Sequence, residues 1–332
     1  MTSLEVLPGA EDGLLTDPSK KKKTIDSPYL HSLQLRHFIL FDVLPALGTL
    51  VAIGLCFLYP IGRVELSLLF VMWLLTGCGI TVGFHRLFTH RAFKAAGWVR
   101  ACFVIFGCMA AQGAVISWVA IHRRHHEFSD KPGDPHSPNL HGAGFRRRLR
   151  GLIHSHYAWM ARHEYPNILH YAPDLMRDKA LIKLDGYYTF WVLLGIALPA
   201  AIGGVIHGTW LGVLYGALWG GAVRMFLLGN IIWMINSVLH SVGTRRFATR
   251  EHSRNAAVLS LITLGESWHN NHHAFPASAS FGLHWYYPDP GYWFIKSLKL
   301  MGLAWDVYKP TPDKIRAQSQ PADATLLTTP SE

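Results

Sequence analysis

Nine histidines fall in four short clusters, and their spacing points to a metal. His269, His272 and His273 stand at i, i+3 and i+4 in H-N-N-H-H. On a helix that spacing stacks the imidazoles along one face. His122, His125 and His126 repeat the pattern in H-R-R-H-H, and Asn236 and His240 are i and i+4 in N-S-V-L-H. His85 and His90 stand at i and i+5 in H-R-L-F-T-H. A regular helix would splay that last pair, so His90 is expected past a helix end.

Neutral imidazole suits iron, zinc and copper. One structural zinc needs only four ligands, so nine histidines suggest two metals with a position left for water or oxygen. A shell with no thiolate and few carboxylates argues against iron–sulfur clusters and blue copper. A zinc or mixed-metal site is the alternative within this class. The cysteines, Cys56, Cys78, Cys102 and Cys108, all lie in apolar stretches with no CxxC pair, and read as small buried hydrophobes. His136, His141, His154, His156, His163, His207 and His284 read as structural residues with satisfied rings.

The elements that must position these clusters are membrane helices. Half of the 332 residues are hydrophobic and only 16% are charged. Residues 39–59, 65–84, 187–207 and 209–235 each supply the roughly 20 apolar residues of a spanning helix. The expected fold is therefore an all-α integral membrane protein with four transmembrane helices. The net charge of +10 is concentrated in the 85–186 connection, which includes Arg146, Arg147, Arg148 and Arg150. Positive charge stays cytoplasmic, so both termini and that connection are expected on the cytoplasmic side. The basic balance fits anionic lipid headgroups or an acyl carrier's phosphates better than nucleic acid.

Residues 98–120 are apolar enough to be a fifth span. A fifth crossing would put His122–His126 and His85–His90 on opposite sides of roughly 30 Å of hydrocarbon. We therefore expect 98–120 to be a helix lying at, or dipping into, the cytoplasmic interface. With four spans, every cluster falls on one side. Residues 1–27 and 311–332 read as disordered tails around a membrane domain at 28–310. Arg224, inside the fourth span, is expected to pair with carbonyls between helices. Gly212, Gly216 and Gly220 allow close helix packing, within or between chains.

These clusters resemble the membrane fatty acyl desaturases, the group that includes the Δ9 acyl-CoA desaturases and their bacterial relatives. The ordered set HxxxxH, HxxHH, NxxxH, HxxHH is present, and the flanking text G-F-H-R-L-F-T-H, G-D-P-H-S-P and G-E-S-W-H-N-N-H-H-A-F-P is also similar. The similarity runs over roughly residues 30–310. It implies a helical cytosolic cap carrying a non-haem di-iron site. By that resemblance the nine histidines are ligands, Asn236 holds a bound water, and the cofactors are two iron ions and O2. The reaction implied is desaturation of a saturated acyl chain, Δ9 in type, to a cis-monounsaturated product. It also implies a narrow apolar tunnel, with Trp118 matching a family tryptophan near its bend. Asp130, Asp134 and Glu266 stand near the clusters and are candidates to orient ligand rings. Arg36 sits where the family has a headgroup-side arginine, and Arg146 and Arg147 are candidates for carrier phosphates.

The chain departs from the animal acyl-CoA enzymes just before its first HxxHH. The text there is Trp118-Val119-Ala120-Ile121, without their charged residues. Acyl-CoA, acyl-carrier protein and phospholipid acyl chains all stay open as substrates. The electrons are expected from a separate ferredoxin, or from cytochrome b5 with its reductase. A same-fold hydroxylase, acetylenase or terminal-alkene-forming decarboxylase is the first alternative. A metal-binding transporter or sensor is the second, and predicts no O2 consumption. The location implied is a multi-pass protein of a bacterial inner membrane.

Overall fold

The computed structural model describes residues 23–319. The first apolar helix, α1, spans Pro28–Leu55, starting well before the expected boundary and ending short of it. Ser27 and Pro28 explain the start, because proline at the first helical position has its φ already set. The early turns carry Gln34, whose amide donates to the His163 carbonyl at 3.1 Å. That polar face packs against the cap, which a hydropathy window does not register. Just before α1, Thr24–Ile25 (β1) pairs antiparallel with Tyr165–Pro166.

Helix α2 spans Arg63–Thr89 and runs past residue 84 to carry His85. Its last part, Gly79–Thr89, is wound as a π-helix. The His90 N–H donates to the His85 carbonyl at 3.1 Å, an i to i+5 bond. The wider turn returns His90 to the face of His85, with ring centroids 4.9 Å apart. Such π segments recur at functional sites. His90 caps the helix, as its spacing predicted.

The segment expected as one interfacial helix is two. Helix α3 (Gly97–Met109) and helix α4 (Val115–Phe128) are joined by a turn in which Ala111 and Gly113 take φ of 61° and 100°. The left-handed backbone forces the reversal. Helix α3 dips in beside α2, and α4 returns with His122–His126. Gly79 allows the approach: a Cβ there would lie 2.3 Å from the Gly107 nitrogen.

The 129–187 connection holds α5 (Phe145–Ile153), which continues as helix to Ala161, and α6 (Lys179–Gly186). Helices α7 (Tyr188–His207) and α8 (Trp210–His240) are the third and fourth apolar helices. Gly212, Gly216 and Gly220 serve contact within the chain: a Cβ on Gly216 would sit 2.2 Å from the Pro199 carbonyl oxygen. Arg224 is fully buried and donates to the carbonyls of Met109 (2.6 Å), Gly195 (3.0 Å) and Gly220 (3.1 Å). It ties α3, α7 and α8 together, and its charge is met by backbone dipoles as expected. Among the described residues, these four helices are the ones long and apolar enough to cross a bilayer, and the protein is a membrane protein.

After α8 the chain builds the rest of the cap with α9 (His269–Ala274), α10 (Pro290–Leu300) and α11 (Pro312–Gln318). Lys94–Ala95 (β2) pairs with Ala304–Trp305, fastening this region to the α2–α3 connection. Residues 311–319 were expected in a disordered tail, but Pro312–Gln318 form helix α11 between Thr311 and Ser319. Ile315, 4% exposed, packs with Phe247, Phe275 and Leu283. One buried side chain in a polar stretch leaves no periodic pattern, which is why the sequence conceals it. The remaining tail expectations, at 1–22 and 320–332, lie outside the described residues.

Candidate metal centre

The clusters arrive on four elements. His85 and His90 come from the end of α2, His122, His125 and His126 from α4, His240 from the end of α8, and the last three from α9. Together they form two groups. His85, His90, His122, His126 and His272 make one, and His125, His240, His269 and His273 the other; ligand atoms within each group lie within 4.8 Å of one another.

Ring nitrogens face each other at close range. His85 and His272 Nε2 are 3.1 Å apart, His122 and His126 Nε2 3.0 Å, and His240 and His269 Nε2 2.9 Å. Two nitrogens bound at right angles to one metal, each at about 2.1 Å, stand about 3.0 Å apart. These separations therefore fit the edges of a coordination shell. The Nε2 atoms of His90, His125 and His273 are buried without a hydrogen-bond partner. Such orphaned atoms are uncommon in folded proteins, and a metal bond would satisfy them. The residues fit a metal centre of two ions.

Three carboxylates orient the rings from behind. His85 Nδ1 donates to Glu266 (2.5 Å), His125 Nδ1 to Asp134 (3.0 Å), and His240 Nδ1 to Asp130 (2.9 Å). Each bond fixes a tautomer with Nε2 free to ligate. All three carboxylates were expected near the clusters, and each meets a histidine. Burial works against charge at Asp130 and Asp134. The hydrogen bonds and electrostatic attraction of the His240 and His125 rings outweigh it and hold both carboxyls well below the usual range. Burial, reinforced by neighbouring imidazoles, pushes His90, His122, His126, His269, His272 and His273 well below the usual histidine value. Neutral imidazole is the form that binds metal. His125 shifts upward, because the Asp134 carboxylate outweighs its burial.

A cavity of about 370 Å³ leads to this centre and touches His85, His122, His269, Glu266 and Asn236. Ile80, Ala114, Ile121 and Ile232 give it apolar walls, and Leu30 and Leu33 of α1 extend it. Trp118 lines it, stacked on His122 with centroids 5.0 Å apart at 16°. Arg36, Arg146 and Arg147 do not line it; all three are exposed. Their expected contact with a substrate headgroup has no counterpart in the cavity wall.

Several residues escaped the sequence reading. His136 was read as structural, yet it lines the cavity, and its ring lies tilted against that of His125 with centroids 4.4 Å apart. Glu251, 7% exposed, comes within 3.7 Å of His273 Nδ1. Arg86 is fully buried and bonds Asp289 (2.9 Å) and Glu266 (3.4 Å), holding Glu266 against His85. A charged residue beside the first cluster was the available signal. Asn270 and Asn271, between the last histidines, hold loops. Asn270 Oδ1 accepts from the Arg246 and Phe247 amides at 2.8 Å, and Asn271 accepts from Asn255 at 2.8 Å.

The family model for fatty acid desaturases matches residues 65–296, which takes in every histidine of both groups. The chain belongs to the fatty acid desaturase family. It is an oxidoreductase with a metal centre. The desaturase is 50% identical over 302 residues to a hex-5-enoyl-[acyl-carrier protein] acetylenase of Moorena producens, covering 90% of this chain and 94% of that one. It is 38% identical over 245 residues to an sn-1 stearoyl-lipid 9-desaturase of Synechocystis, covering 73% and 71%. It is 33% identical over 277 residues to a Delta-9 acyl-lipid desaturase of Arabidopsis thaliana, covering 83% and 86%.

Proposed function

We propose that this desaturase removes two vicinal hydrogens from a fatty acyl chain, using O2 and two electrons at a non-haem di-iron centre. The observation that carries this reading is the apolar cavity ending on His85, His122 and His269. An unactivated methylene has no acidic proton, so general acid–base groups cannot take its hydrogens. Bound iron supplies the O2 chemistry that such a bond requires. The chain's own residues hold the substrate and keep it dry. Ile80, Ala114 and Ile232 exclude water, Trp118 backs the acyl chain beside His122, and Asp130, Asp134 and Glu266 fix the imidazoles. The nine histidines would hold the two irons, five residues in one group and four in the other, with Asn236 on the cavity side to hold a water.

The product on this reading is a cis-monounsaturated chain. A second reading, acetylenation of an unsaturated chain on acyl-carrier protein, draws support from the 50% identity to an acetylenase over nearly that enzyme's full length. Both readings share the cavity and the metal pair. The active side is cytoplasmic, because the histidine clusters share a side with the arginine-rich 85–186 connection. A bacterial inner membrane is the proposed location.

The test is a product analysis by mass spectrometry with unsaturation mapped. Iron-loaded protein, supplied with O2 and a reductant, is offered stearoyl and hex-5-enoyl chains, each on acyl-carrier protein and in lipid. A new double bond in the saturated chain supports the first reading, and a triple bond the second. Substrate-independent O2 uptake with no altered chain from any carrier would sink both.

A further inference from the structure

The histidine groups have a second approach, and it differs from the acyl cavity. A groove of about 650 Å³ touches His90, His126 and His273. None of these three lines the acyl cavity. They are also the three of the nine that are only part-buried; the other six are buried. The His273 side chain is itself only 4% exposed. The groove therefore ends against the imidazole shell without opening it.

The groove is more polar than the acyl cavity, and its rim is basic. Its rim is the 241–256 loop, with Thr249 and Arg250 in the wall, facing Gln318 of α11. That loop carries Arg245, Arg246, Arg250 and Arg254 against one carboxylate, Glu251. Glu251 also lines the groove; it is buried, accepts from Ser253 Oγ at 2.9 Å, and offsets only one of the loop's four arginine charges. The rim is also fixed in shape. Asn270 of α9 accepts from Arg246 and Phe247, and donates to Thr249 Oγ1 at 3.1 Å. The His252 amide donates to Asp130 Oδ2 at 2.8 Å, the same oxygen that orients His240. The loop is thus hydrogen-bonded to the helix and the carboxylate that position the metal centre.

Resting on the proposed desaturation, we infer that this groove is the docking surface for a small acidic one-electron carrier protein. The stoichiometry requires such an entry: R–CH2–CH2–R′ + O2 + 2 e⁻ + 2 H⁺ gives R–CH=CH–R′ + 2 H2O. Breaking two of the substrate's C–H bonds supplies two electrons and O2 takes four, so two come from outside. They arrive in two encounters, each oxidising one reduced carrier. The acyl cavity must stay filled and dry while this happens. The groove reaches both histidine groups, His90 and His126 in one and His273 in the other, without crossing that cavity. A basic rim steers an acidic partner and sets its association rate.

The experiment uses the full chain, iron-loaded, in nanodiscs. The probes are a plant-type ferredoxin and a soluble cytochrome b5 domain. Carrier Kd is measured directly at two salt concentrations, with metal content checked in each variant. Single turnover is measured twice, after reduction by carrier and after anaerobic reduction by dithionite. Arg250→Glu with Arg246→Glu should weaken carrier binding about tenfold or more, and should lower the carrier-driven rate relative to the dithionite-driven rate by a similar factor. Arg250→Lys should keep binding and its salt dependence. Unchanged Kd for both carriers in a fully metal-loaded charge-reversal variant would overturn the docking surface. If dithionite-reduced unaltered protein modifies no acyl chain, the desaturation reading fails, and the Kd still decides the docking surface on its own.

Discussion

The two sides of the histidine shell are built for opposite conditions. On one side His85, His122 and His269 meet an apolar cavity that Leu30 and Leu33 extend along α1. On the other, His90, His126 and His273 back onto a polar groove rimmed by arginine. On the proposed reaction, carbon–hydrogen chemistry needs water excluded, whereas the electrons and protons would come from the aqueous side. Placing both at one centre requires ligands that face two ways, and the clusters supply them. In H-R-R-H-H, His122 faces the cavity and His126 the groove, one helical turn apart. In H-N-N-H-H, His269 and His273 do the same. The i, i+4 spacing sets the imidazoles side by side along the wall that divides the two compartments.

The largest effect expected is from ligand loss, and it should be unequal between the groups. His269→Ala and His125→Ala each leave the four-histidine group with three. Both should lose turnover to background and at least one of two metals, read by elemental analysis of purified protein. His90→Ala leaves four histidines in the five-histidine group and should retain more metal. Equal metal loss in all three variants would break the division into two groups. Next come the carboxylates. Glu266→Gln and Asp134→Asn should weaken metal binding by about 10–100-fold, measured by competition with a chelator. Unchanged affinity in both would remove their assignment as ring-orienting residues.

The convergence of the nine histidines was legible because imidazoles at helical spacing are rare by chance. The orienting carboxylates were legible as neighbours in sequence. Their pairing was not, because Glu266 and His85 are far apart in the chain and meet only when α2 and the region before α9 pack. The relation of His85 to His90 was half legible. Spacing put His90 past a helix end, but the widened turn that restores it to the same face depends on packing against α3 through Gly79 and Gly83. The spans were legible from length and hydropathy, with boundaries displaced where polar residues such as Gln34 pack against the cap. The groove was not legible at all. It is made by a loop that looks like an ordinary polar connection and by α11, in a stretch that looks like a tail.

An intermediate effect should come from filling the dry side alone. Ile232 lines the acyl cavity and does not touch the groove. Ile232→Trp adds bulk where the acyl chain is expected to lie. Overpacking of this kind costs typically about 1–3 kcal/mol in a packed core, but a cavity can absorb it. The variant should keep its metal and its carrier Kd while losing turnover on long chains before short ones. A variant that loses long and short chains equally, with metal intact, would indicate that this wall does not set chain length.

The smallest effect expected is a pH dependence of the metal-free protein. Six imidazoles in the two groups have folded-state pKa values below the unfolded value of about 6.5. The unfolded chain therefore binds more protons than the folded one as pH falls below that value. Their contribution to stability is full above about pH 6.5 and is lost as pH drops toward their folded values. His125 shifts upward and has the opposite sign: its contribution is present below about pH 6.5 and is lost above its raised value. One group against six leaves the net slope positive. Asp130 and Asp134, held low, add a loss only below about pH 4. The thermal midpoint of metal-free protein should therefore fall between about pH 8 and pH 5. Bound metal competes with protons for the same nitrogens, so the loaded protein should hold its midpoint further into acid. The two sides of the shell then separate in kind. Proton uptake from the groove meets His90, His126 and His273 first, so His126→Gln should flatten the metal-free slope. A slope unchanged by that substitution, or a midpoint that rises on acidification, would mean the imidazoles are not held neutral by burial.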